Sequence, residues 1–107
     1  MKAGEKFMFN AVIDKKKIVS LIKPIAKKYN VEAIYLFGSY ARDEARADSD
    51  LDFLVIGGKK FKLTNIFALA EDLREVLQKN VDVFEINEIN QESDLYHTIM
   101  RDKVLIA

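Results

Sequence analysis

The sequence predicts an α/β domain, with one small mixed sheet and packed helices. Three observations carry the prediction. Short apolar runs of strand length, at Ala33–Phe37, Leu51–Ile56 and Val81–Ile86, alternate with stretches of helical periodicity. The length of 107 residues is that of a single domain, 1–107, with one core and no second lobe. Half of the residues are apolar and 32% are charged, the balance of a folded globular chain and not of a disordered one.

Each element has a local cause. Residues 1–13 read as a loosely ordered segment or an edge strand, with Phe7 and Phe9 facing a strand edge or an interface. Asp14 is an N-cap, and Ile18, Leu21, Ile22, Ile25, Ala26 and Tyr29 follow at helical spacing. Pro24 lies inside this pattern and predicts a kink or a break, because it lacks an N–H and clashes with the preceding turn. Asn30 suits the position just past the helix end. Ala33–Phe37 is a buried strand, ended by Gly38-Ser39, and Ser39 caps a short helix through about Ala45. Leu51–Ile56 is a second strand, closed by a turn at Gly57-Gly58. Ile66, Leu69, Ala70, Leu73, Val76 and Leu77 mark an amphipathic helix, capped by Thr64 or Asn65, with Asn80 past its end. Val81–Ile86 is a third strand, Glu92–Arg101 a helix, and Val104–Ile106 a short edge strand.

Composition excludes several classes. The longest apolar runs are five residues, far below the ~20 that span a bilayer. The N-terminus shows no apolar stretch followed by a small-residue cleavage site. The absence of Cys removes disulfides and thiolate metal sites and fits the cytoplasm. A net charge of zero argues against stable nucleic-acid binding as the main task. That zero conceals a split: residues 1–30 carry +6 and residues 31–107 carry −6. The Lys-rich third reads as a solvated helix face, with steering of a phosphorylated or acidic partner as the alternative.

One stretch stands apart, LFGSYARDEARADSDLDFLV, Leu36–Val55. Asp50 and Asp52 alternate with Leu51 and Phe53, so both carboxylates project from the face opposite the core. Two carboxylates so close repel unless a cation stands between them, and a divalent ion with a taste for oxygen is the natural occupant. Gly38-Ser39 admits a phosphate close to the backbone and offers it free N–H groups and a hydroxyl. Arg42 lies within reach of the same phosphate. A phosphate cradle and a carboxylate pair on consecutive strands is the combination a metal–nucleotide site needs. Asp82, in the third strand with its side chain opposite to Val81 and Val83, supplies a third acid. Glu85 falls on the wrong side by parity. His97, the only histidine, and Tyr96 read as packing or surface residues, and Phe61 and Phe67 as core or partner-facing ones.

Gly38-Ser39, ten intervening residues, then Asp50-Leu51-Asp52 resembles the signature of the DNA polymerase beta-like nucleotidyltransferase superfamily. The fuller string Gly-Ser-Tyr-Ala-Arg followed by Ser49-Asp50-Leu51-Asp52 is similar to its minimal, MNT-type members, which pair as antitoxins with HEPN-domain ribonuclease toxins. The resemblance implies that Asp50, Asp52 and Asp82 hold two Mg²⁺ ions, that Asp82 also helps to deprotonate or orient the attacking hydroxyl, and that Gly38 and Ser39 bind nucleotide phosphates. Arg42 matches the family's arginine. The implied reaction transfers AMP from ATP to a tyrosine hydroxyl of a HEPN-type partner. Two alternatives stay beside it: an antitoxin that acts by binding alone, and an enzyme for a small-molecule hydroxyl. With no second lobe, the acceptor platform must come from a partner or a homodimer. Where many relatives have Gly, this chain has Asp43, which tolerates the left-handed conformation but adds a negative charge near the phosphates.

Overall fold

The computed structural model describes residues 11–107, so the expectation for Phe7 and Phe9 lies outside the described residues. The elements run α1 (Lys15–Lys28), β1 (Ala33–Phe37), β2 (Leu51–Ile56), α2 (Ile66–Leu77), β3 (Val81–Glu85), α3 (Asp94–Asp102) and β4 (Val104–Leu105). Four strands form one sheet in the order β3-β2-β1-β4. β1 is antiparallel to both β2 and β4, while β2 and β3 are parallel and joined through α2. The mixed α/β architecture is the one the sequence predicts. Among the described residues, no helix is long and apolar enough to cross a membrane.

Side-chain alternation divides the sheet into two apolar faces. Ile34, Leu36, Leu51, Phe53, Val55 and Val81 point to the side covered by α1 and α2. Phe37 and Leu54 point to the other side, where Ile99 of α3 covers them. α1 contributes Ile18, Ile22, Ile25 and Ala26, and α2 contributes Leu69, Leu73 and Leu77, each set at helical spacing and buried.

Three local expectations change. Pro24 does not break α1, which continues to Lys28. Pro24 is exposed, and the buried residues Ile22, Ile25 and Ala26 on either side hold the helix against the sheet. Asn30 does adopt the left-handed conformation past that helix (φ 57°), but at the end of α2 the role falls to Gln78 (φ 54°) and not to Asn80. Asn80 instead accepts from the Leu51 N–H (3.0 Å), which ties the start of β2 to the start of β3. The short helix after Ser39 is absent: residues 39–43 form successive turns, closed by Arg42 N–H to Gly38 C=O (3.1 Å) and Glu44 N–H to Ser39 C=O (2.9 Å). The left-handed Asp43 (φ 59°) stops the coil from propagating.

Glu85, set aside by parity, has a structural task. It is buried, and its carboxylate accepts from the N–H groups of Gly57 (3.1 Å) and Asn87 (2.7 Å), joining the ends of β2 and β3. Replacing it by Ala leaves the buried Gly57 N–H and the partly buried Asn87 N–H without an acceptor. Glu85→Ala is expected to lower unfolding free energy by about 2–3 kcal/mol, read as a shifted urea midpoint with unchanged slope.

Candidate nucleotidyl-transfer site

The site is built on one row of the sheet. The register sets Phe37, the last residue of β1, opposite Asp52, and Asp52 opposite Asp82. Gly38 therefore begins where Asp52 stands. A Cβ on Gly38 would come within 2.5 Å of Asp52 Oδ2, and its φ of +76° disfavours any other residue. Glycine is needed here for contact with a carboxylate as well as for the turn.

Beyond Gly38 the N–H groups of Ser39, Tyr40 and Ala41 donate to no acceptor among the described residues, although the turn around them is bonded. Consecutive free N–H groups in a turn form an anion cradle. The cradle is held from behind: Tyr40 is buried, its hydroxyl accepts from Ile13 N–H (3.4 Å), and Lys15 Nζ donates to the Ala41 carbonyl (3.2 Å). Lys15 also pairs with Asp43 (2.9 Å), so the negative charge added at that left-handed position has a cation beside it.

Asp50 precedes β2 in a loop fixed at several points. Ser49 N–H donates to the Arg46 carbonyl (3.0 Å), and Arg46 N–H to Ser49 Oγ (2.8 Å). Buried Lys79 donates to the Ala47 carbonyl. Asp50 and Asp82 are exposed and Asp52 is half-buried between them. Burial, then the charge of Asp82, then that of Asp50, push the Asp52 carboxyl from 3.8 up to about 6, with Arg42 pulling the other way. Asp52 accepts no hydrogen bond among the described residues. Among these residues no three acidic or imidazole groups already enclose a common point. The donors nonetheless suit a hard divalent ion: three carboxylates in electrostatic contact, the central one without a hydrogen-bond donor.

Arg42 stands near enough to act on Asp52 electrostatically, but its guanidinium is held. Nη1 donates to Asp102 (2.6 Å) and Nε to Glu44 (2.6 Å). The Asp102 side chain is nearly buried and also takes Arg101 (2.9 Å). Hydrogen bonds from Arg101 and then from Arg42 hold its carboxyl below the ordinary range. Sequence reasoning missed Asp102, Lys15 and Lys79. Asp102 lies 60 residues from Arg42, and nothing in its own neighbourhood marks it. His97 is exposed and stacks edge-on with Tyr96, away from any constellation.

Residues 20–107 match the family described as polymerase beta, nucleotidyltransferase. The chain is 38% identical over 91 residues to a Methanocaldococcus jannaschii protein provisionally named a protein adenylyltransferase, covering 85% of this chain and 86% of the relative. It is 32% identical over 84 residues to the protein adenylyltransferase MntA of Thermococcus cleftensis, covering 78% and 83%. Its fold superposes with a TM-score of 0.67, at 19% identity, on a chain in the solved complex of the tri-AMPylated Shewanella oneidensis HEPN toxin with its MNT antitoxin, covering 88% of this chain and 72% of that one.

Two measurements follow from this electrostatics. Because the folded Asp52 carboxyl titrates near 6, above its unfolded value, its protonated form stabilises the fold below about pH 4. That contribution is lost as pH rises through 6. The full linkage is worth about 3 kcal/mol, discounted to about 1 because half of the carboxyl meets water. In chelator, Asp52→Asn is therefore expected to match wild type in Tm near pH 4 and to exceed it by a few degrees at pH 7.5. Adding Mg²⁺ should raise the wild-type Tm and leave that of the variant unmoved. Separately, Asp102→Ala leaves Arg42 held by Glu44 alone, and the KM for nucleotide is expected to rise about tenfold with kcat changed far less.

Proposed function

The chain belongs to the polymerase beta nucleotidyltransferase family, and on that premise we propose that it transfers AMP from ATP to a tyrosine hydroxyl of a HEPN-type toxin, as the antitoxin. The observation that carries the reading is the apposition of Gly38 and Asp52, which sets an anion cradle against a row of acids. The names of two relatives supply the reaction class, and the solved complex supplies the class of partner.

The cradle of Ser39, Tyr40 and Ala41, with the Ser39 hydroxyl and Arg42, takes the β- and γ-phosphates. Asp50, Asp52 and Asp82 would hold two Mg²⁺ ions, which when bound offset the charge of the triphosphate and of the departing pyrophosphate. The acceptor oxygen bonds to the α-phosphorus, the α–β bridging P–O bond breaks, and pyrophosphate leaves. A tyrosine hydroxyl, with an ordinary pKa of ~10, gives up its proton only to a base in contact with it. Asp82 suits this task, because it stands exposed on β3 at the end of the row, where an acceptor can approach it. Lys15, Lys79 and Asp102 act by position: they fix the cradle, the Asp50 loop and Arg42.

A second reading, neutralisation by binding alone, differs in one measurable respect. ATP labelled at the α-phosphate is incubated with the chain, Mg²⁺ and the HEPN-type protein encoded beside it. Label is expected on a partner tyrosine, and chelator should abolish it. Asp50→Asn should lower the rate by at least about a hundredfold while the variant stays folded. An Asp50→Asn protein that labels its partner at the wild-type rate overturns the catalytic assignment, and a tight complex with no label establishes binding alone.

A further inference from the structure

Among the described residues, no strand pairs with the outer edge of β3. The Asn80 carbonyl bonds back to Leu51 of β2, whereas the Val81 carbonyl turns away and accepts from Arg74 Nη2 (3.0 Å). Backbone polar groups alternate in direction along a strand, so Val83 also points its N–H and C=O outward. Neither group has a partner among the described residues.

Beside that edge lie two hollows of about 500 and 200 Å³, joined through Ile66, Phe67, Val83 and Phe84. Phe67 is 82% exposed, far more than any other large apolar side chain among the described residues, and Leu63 beside it is 47% exposed. The smaller hollow ends at Asp82. The rim carries the exposed carboxylates of Asp82 and Glu88, and the cation there, Arg74, is already engaged by Glu71 and Val81.

We propose that this groove seats an extended segment of the acceptor protein, paired as an added strand on β3. Its backbone bonds to Val83, an apolar or aromatic side chain covers Phe67 and Leu63, basic residues face Asp82 and Glu88, and the acceptor hydroxyl arrives at Asp82. The proposal rests on the nucleotidyl-transfer reading and adds to it a surface and a segment chemistry. An added strand runs ~4.8 Å from β3, so a side chain on it stands within reach of the Asp82 carboxylate. A second copy of this chain fits the groove less well. Edge-to-edge pairing of two β3 strands would crowd the Asp82 and Glu88 carboxylates of both copies into one place.

The test uses the full chain and its HEPN-type partner. Phe67→Lys changes an exposed side chain and keeps the core. Val83→Pro removes the outward N–H without touching the bonds to β2. Leu105→Lys, on the opposite edge strand and 59% exposed, is the control. Both groove variants are expected to raise the KM for partner, and the Kd of the ATP-free complex, at least about tenfold, with the KM for ATP unchanged. Leu105→Lys should match wild type. Partner KM and Kd within twofold of wild type for Phe67→Lys overturn the proposal. So does an edge-paired dimer of this chain that Phe67→Lys dissolves while transfer persists. Should Val83→Pro fail to fold, Phe67→Lys decides alone. If wild type transfers no label at all, the catalytic reading fails, and the Kd of the Phe67→Lys complex still decides whether the groove docks the partner.

Discussion

The row Phe37–Asp52–Asp82 is the constraint on which the site depends. It forces a half-buried carboxylate between two acidic neighbours and against the backbone of Gly38. Left alone, that arrangement works against the fold, because burial and like charge both favour the neutral form. The fold tolerates it because the β2–β3 pair that carries it is anchored at both ends: Leu51 to Asn80 at one, Gly57 and Asn87 on Glu85 at the other. A divalent cation bound there, as proposed above, would relieve that destabilisation by offsetting the charge of all three acids.

Much of this was legible in the sequence because it is local. Strand parity places Asp52 and Asp82 opposite the core, and the Gly38-Ser39 break followed by Asp50-Leu51-Asp52 is contiguous enough to read as one unit. The errors also have local causes. Pro24 carries a strong prior as a helix breaker, but its neighbours' burial against the sheet outweighs the lost hydrogen bond. Ser39 is a good cap followed by a stretch that begins to coil, yet the left-handed Asp43 ends it after one turn. The left-handed position falls to Gln78 because α2 ends at Leu77, while Asn80, two residues further on at the start of β3, accepts from Leu51. What composition could not reveal is tertiary: Asp102 on Arg42, Lys79 on the Asp50 loop, and the open edge beside Phe67.

The charge split takes on structure as well. Of the lysines in the N-terminal third, Lys15 holds the cradle through Ala41 and Asp43, while Lys28 pairs with Asp72 on α2. Lys16, Lys23 and Lys27 are exposed on α1. The bland reading of a solvated helix face therefore covers most of the stretch, with one residue recruited to the site. Lys15 also explains how Asp43 can stand where a glycine would be simpler. The left-handed turn needs a residue that tolerates positive φ, Asp does so, and its charge is offset at 2.9 Å before it reaches the phosphate-facing side.

The two halves of the site differ in who completes them. The proposed nucleotide half is largely self-contained: the cradle, the Asp50 loop and Arg42 are each held by side chains of this chain, most of them distant in sequence. The acceptor half is not, because among the described residues an unpaired strand edge, two shallow hollows and an exposed phenylalanine lie beyond Asp82. A surface so incomplete has a cost, since an unpaired apolar edge invites unwanted association. Charged groups at Asp82 and Glu88 limit that cost by repelling a second copy of the same edge. The same charges would attract a basic segment. The acids that disfavour self-pairing and the acid that would receive a hydroxyl proton thus lie on one edge, so selectivity for the acceptor and chemistry upon it share the same few carboxylates.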